Sequence, residues 1–189
     1  MSDNDEIRHY GHSILRRKAA PVSNMDREIA DLGQRLITCL ERVGGLGLAA
    51  PQIGSGLCVI AYDIGEGCDL IINPRIEESD GLEASVEGCL SLPRLYGDVP
   101  RAERVVVKGL NRRGRPVTIE AQDLLARVLQ HEIDHLQGIL FVDRVAPETL
   151  HWLVGDAEQE GEPQRVYTTL EDALKLFEAR AASRRRLAE

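Results

Sequence analysis

Between Ala121 and Gln137 the chain has neither proline nor glycine, and Leu124, Leu125, Val128, Leu129, Ile133 and Leu136 recur at helical spacing before Gly138. This pattern predicts an amphipathic helix with a glycine stop. The helix carries His131-Glu132-Ile133-Asp134-His135. Residues four apart on a helix are separated by about 400°, so the two imidazoles leave one face about 40° apart, as two ligands of one metal ion require. From Glu132 a carboxylate can reach a metal-bound water and take its proton, the arrangement of a metal-assisted hydrolase. Leu124, Val128, His131 and His135 lie on one stripe, so apolar positions continue the ligand face, either as core or as the wall of a pocket. Those apolar neighbours argue against two surface histidines on an acidic helix.

Hydrolytic metal sites usually have a third protein ligand and one open position. The extended pattern HExxH-xx-G-xx-H is excluded, because Gly138 is in place but Phe141 stands where the last histidine is required. Glu158 and Glu160 are downstream candidates, in a segment that reads as loop. A thiolate is the other option. Of the four cysteines, Cys39, Cys58 and Cys68 read as small buried hydrophobes. Cys89, in Glu87-Gly88-Cys89-Leu90-Ser91, is the candidate ligand, and a thiolate suits zinc or ferrous iron. Spacing alone leaves carboxylate and thiolate open.

The chain has 189 residues and only two Phe and one Trp, so its core must be built from Leu, Ile, Val and Ala. A net charge of −8 argues against general nucleic-acid binding, and no DNA partner is expected. No apolar run reaches the roughly 18 residues of a membrane span. The acidic N-terminus does not read as a signal or transit peptide, so a cytoplasmic location with reduced thiols is expected.

Residues 24–43 read as a helix capped by Ser23 or Asn24 and ended by Gly44-Gly45, with Ile29, Leu32, Leu36, Ile37, Leu40 and Val43 on one face. Strands are expected at 57–62, 70–72, 104–110, 116–119 and 139–142, with a hairpin turn at Asn111–Arg115. Residues 155–165 read as loop. A final helix follows Thr169 and Asp172, which suit a capping box, and Leu170, Leu174 and Phe177 give its apolar stripe. Strands and helices do not alternate strictly, which favours α+β over a doubly wound sheet.

Gly45-Leu46-Gly47-Leu48-Ala49-Ala50-Pro51-Gln52 matches a dinucleotide fingerprint only formally, because it follows a helix and Pro51 interrupts the helix that should begin there. It reads better as an extended loop whose glycines let a ligand approach the backbone, with the Gln52 amide nearby. Together with Glu87–Ser91 and Gln130–His135, this stretch closely resembles the peptide deformylase family, and flanking sequence extends the resemblance over roughly residues 7–145.

The resemblance implies a single catalytic domain over 1–189, with a variable C-terminal loop and helix at 146–189. The implied fold is α+β, with antiparallel β-sheets packed around the central HExxH helix and with N- and C-terminal helices. It implies removal of the formyl group from N-formylmethionyl nascent polypeptides by metal-bound hydroxide. Cys89, His131 and His135 would hold the metal, usually Fe2+, with Zn2+, Ni2+ or Co2+ possible. Glu132 would be the general acid/base, and the Gln52 amide and Leu90 backbone N–H would stabilise the oxyanion. Gly45, Leu46 and Gly47 would lie along the peptide. Val128 and Leu46 could line an apolar pocket for the methionine. Arg180 and Arg184–Arg186 make the last helix basic, which suits its dipole and would also allow a weak ribosome contact.

Overall fold

The computed structural model describes residues 7–155 and 163–187, with side chains through Ser183. In chain order the elements are α1 (Arg27–Val43), β1 (Gly47–Ala49), β2 (Val59–Tyr62), β3 (Asp69–Asp80), β4 (Glu83–Cys89), β5 (Leu92–Arg101), β6 (Arg104–Leu110), β7 (Pro116–Gln122), α2 (Asp123–Leu136), β8 (His151–Val154), β9 (Gln164–Tyr167) and α3 (Leu170–Leu187), with short 3-10 turns between some of them. They fall into two compact units. Among the described residues, one contains 7–8, 13–83 and 101–140. The other contains 9–12, 84–100, 141–155 and 163–187.

The first unit is built on an antiparallel sheet of order β1-β2-β3-β6-β7. Its apolar face supplies Ala49, Ile60, Ile71, Val105 and Val107. Helix α2 answers with Ala126, Leu129, Ile133 and Leu136, all in one buried cluster. Each buried Leu or Ile of this kind contributes about 1.5–3 kcal/mol. Helix α1 buries Ile29, Leu32, Leu36 and Leu40 of its predicted face, whereas Ile37 is half-buried and Val43, in the last turn, is exposed. It comes close to β3 because Gly33 has no side chain: a Cβ there would stand 2.6 Å from Leu70 Cδ1. Its cap is Asp26, not Ser23 or Asn24. The Asp26 carboxylate accepts the Ile29 N–H at 3.1 Å and so satisfies an orphan donor of the first turn. Gly44, in the left-handed region at φ 64°, ends the helix where expected.

The second unit is built on a sheet of order β4-β5-β8-β9. The sequence pattern predicts none of these four strands. In β4 and β5 the breakers Gly88, Pro93, Gly97 and Pro100 mask the alternation of buried and exposed positions. The strand expected at 139–142 does not form. Leu140, Phe141 and Val142 are buried, but Phe141–Asp143 is a 3-10 turn closed by the Arg144 N–H on the Phe141 carbonyl at 3.0 Å. A short apolar run marks burial without deciding the backbone conformation. Helix α3 begins where predicted: the Asp172 N–H donates to Thr169 Oγ1 at 3.1 Å, and that hydroxyl donates to the Asp172 carboxylate at 2.8 Å. Ala173 and Phe177 are its buried positions. Among the described residues no helix is long and apolar enough to cross a membrane. Glu158 and Glu160, and the side chains of Arg184–Arg186, lie outside the described residues.

Candidate metal centre

Helix α2 presents His131 and His135 on one face, with ring centroids 5.0 Å apart and planes at 71°. His135 is buried and His131 half-buried. The stripe predicted beside them is graded, because Val128 is buried whereas Leu124 is 47% exposed. One residue back from each histidine, a second stripe of α2 is fixed to Arg101-Ala102. Gln130 donates from Nε2 to the Ala102 carbonyl at 2.9 Å and accepts the Ala102 N–H at 3.0 Å. Arg101 donates to the Asp134 carboxylate at 2.6 Å, and these side chains are only 3% and 10% exposed. The clamp sets the rotation of the helix and so the direction of both imidazoles. Sequence reasoning assigned no role to Arg101, Gln130 or Asp134. The available signal is the polar pair Gln130 and Asp134, spaced four apart on one helix.

Residues 47–53 form the strand β1 and a 3-10 turn (Ala50–Ile53) instead of an open loop. This places Gln52 in the interior, where its Oε1 accepts the Ala49 N–H at 2.8 Å. That bond orients the amide and turns its Nε2 donors to the opposite edge. Glu132 is buried and lies against β1: a Cβ on Gly47 would stand 2.7 Å from Glu132 Cγ and 2.8 Å from Cδ. Gly45 is half-buried, and Leu46 is 47% exposed.

Cys89 is the last residue of β4, and Leu90-Ser91 form the turn into β5. Cys89 and Ser91 are buried, and Leu90 is half-buried. Gly88 makes room for an aromatic ring, since a Cβ there would meet Tyr96 Cδ1 at 2.8 Å. Cys89, His131 and His135 are a group that could hold a metal ion. One thiol and two imidazoles fit a divalent transition ion. The other cysteines differ: Cys39 is buried in α1, and burial pushes the thiols of Cys58 and Cys68 up, that of Cys68 to about 11 with the help of Asp63, Glu41 and Asp69.

The polypeptide deformylase family model matches residues 4–151. The chain belongs to the polypeptide deformylase family. It is 43% identical over 166 residues to the peptide deformylase of Acidothermus cellulolyticus, covering 86% of this chain and 92% of that one. The Halothermothrix orenii peptide deformylase is 48% identical over 142 residues, covering 74% and 92%. Among solved structures, the Legionella pneumophila peptide deformylase aligns with a TM-score of 0.73 and 42% identity, over 75% of this chain and 86% of that chain. The Synechococcus elongatus enzyme, solved in complex with actinonin, gives 0.72 and 42%, over 74% and 78%. Deformylases are metal-dependent hydrolases, and this chain has a group of side chains able to hold an ion. The α+β class with antiparallel sheets and three helices agrees with the family's solved structures.

Proposed function

We propose that this chain removes the formyl group from the N-terminal formylmethionine of new polypeptides, using one divalent ion held by Cys89, His131 and His135. The observation that carries this is one thiol and two imidazoles able to hold an ion, in a chain whose residues 4–151 match the deformylase family, with Glu132 between the two histidines in sequence. A bound ion supplies Lewis acidity and makes water acidic enough to attack at neutral pH. Glu132 takes the proton of the attacking water and returns it to the leaving amine, giving formate and a free N-terminus. The Gln52 amide and the Leu90 N–H donate to the oxyanion that develops on the formyl group. Gly45, Leu46 and Gly47 run along the peptide, and Val128 with Leu46 receives the methionine side chain.

A thiolate with two imidazoles accepts Fe2+, Zn2+, Ni2+ or Co2+, and we assign Fe2+ as the ion in the cell, in a reducing cytoplasm that preserves a ferrous thiolate. The assignment includes a weak ribosome contact through Arg180 and Arg184–Arg186, tested by co-sedimentation at low salt after deletion of 178–189. The function itself is tested by formate release. Protein purified without oxygen should release formate from a formyl-Met peptide, and Glu132→Ala should retain the metal and lose the activity. Metal-loaded wild-type protein that leaves the formyl group in place would refute the proposal.

A further inference from the structure

We propose that helix α3 braces the turn that follows Cys89, acting through Tyr10, and that Phe177 and Tyr10 are positioning residues for deformylation. This rests on the function proposed above, which gives the Leu90 N–H in that turn to the oxyanion. The Tyr10 N–H donates to the Ser91 carbonyl at 2.9 Å, so segment 9–12 holds the residue next to Leu90 in place. Tyr10 is held from its other side. Its ring lies 6.1 Å from that of Phe177 on α3, tilted by 49°. Phe177 is buried, with the Trp152 ring of β8 at 5.4 Å and the Arg180 guanidinium at 6.0 Å from its own ring. Aromatic pairs at these separations add attraction beyond the area they bury. Next to Tyr10, Gly11 has φ +94° and no side chain, and a Cβ there would come within 3.1 Å of Ala181 Cβ. Helix α3 therefore packs directly onto the backbone of the segment that holds Ser91.

The brace is fastened at its far end as well. Trp152 pairs with Leu95 of β5, the strand that leaves the Leu90-Ser91 turn, and the Thr168 N–H donates to the Leu150 carbonyl at 3.0 Å just before α3 begins. Phe177, Arg180 and Ala181 all lie beyond the residues 4–151 matched by the family model. The C-terminal helix thus has a role in this chain that the family's three sequence motifs do not contain: it stiffens the turn carrying an oxyanion donor.

The test uses the full-length, metal-loaded protein with Phe177→Ala and, as a milder change, Phe177→Leu. Amide exchange at Tyr10 is read together with kcat, KM and metal content. Loss of the brace should speed Tyr10 exchange about 10-fold or more while the α1 amides keep their protection. The same change should lower kcat roughly 10-fold at unchanged KM and one metal per chain, because misplaced donors lower catalysis without removing the ion. Phe177→Leu should fall between, and it decides the question alone if Phe177→Ala does not fold. If α3 amides lose protection while Tyr10 exchange and kcat stay at wild-type values, the brace is refuted. If wild-type protein releases no formate, the function fails instead, and Tyr10 exchange still judges the brace.

Discussion

Gly47 and Glu132 share one small volume. A β-carbon on residue 47 would stand 2.7 Å from Glu132 Cγ and 2.8 Å from its Cδ, so the absence of a side chain on β1 lets the buried carboxylate lie against the strand. Gly47→Ala is expected to displace that carboxylate while leaving the ligands alone. Formate release should fall about 100-fold, the order of loss for a 1 Å misplacement, with metal content by elemental analysis unchanged.

Gln52 serves two directions at once. Its Oε1 satisfies the buried Ala49 N–H, and its amide donors point away from that bond. Gln52→Leu should lower kcat by about 10²–10³, the usual cost of one oxyanion donor. It should also cost about 1–3 kcal/mol of stability, because the Ala49 N–H is left buried without its acceptor. Denaturant unfolding beside the formate assay separates the two effects.

The Arg101–Asp134 pair predicts an asymmetry between single and double variants. Arg101→Met removes the guanidinium from the buried Asp134 carboxylate of α2 and should cost about 3–5 kcal/mol. For a chain of this size that lowers Tm by on the order of 10 °C. Arg101→Met with Asp134→Leu should recover much of that loss, since an apolar pair replaces a desolvated ionic one. A double variant no more stable than the single one would remove the ion pair from the account.

Cys68 offers a pH test that does not involve the metal centre. Its thiol is pushed up to about 11 by burial first and by neighbouring carboxylates second, so the neutral form prevails below that pH. The thiolate is the reactive species. Alkylation of Cys68 by iodoacetamide at pH 8 should be roughly 100-fold slower than for a thiol at the ordinary protein value of 9, and should rise about tenfold per pH unit up to about pH 11. Peptide mapping of the alkylated protein measures it.

The sequence made α2 legible because a single period ran through a segment free of breakers, and the two histidines fell on it. Strand β6 was legible as a run of valines and β7 as alternation, on either side of a turn. By contrast, β4 and β5 were hidden by Gly88, Pro93, Gly97 and Pro100, whose usual meaning is a break; here Gly88 makes room for the Tyr96 ring and Gly97 for Val145, while Pro93 and Pro100 take less buried strand positions. The order of motifs, not any local rule, singled out Cys89. The Arg101–Asp134 pair depends on the fold of residues far apart in the chain. The run at 139–142 misled because burial without periodicity is compatible with a 3-10 turn.

We assign one ion to Cys89, His131 and His135. X-ray absorption at the metal edge of anaerobically purified protein reads its neighbours. One sulfur is expected, at about 2.3 Å if the metal is zinc, together with two imidazole nitrogens, and the sulfur signal is lost in Cys89→Ala. A wild-type spectrum without a sulfur neighbour would contradict it.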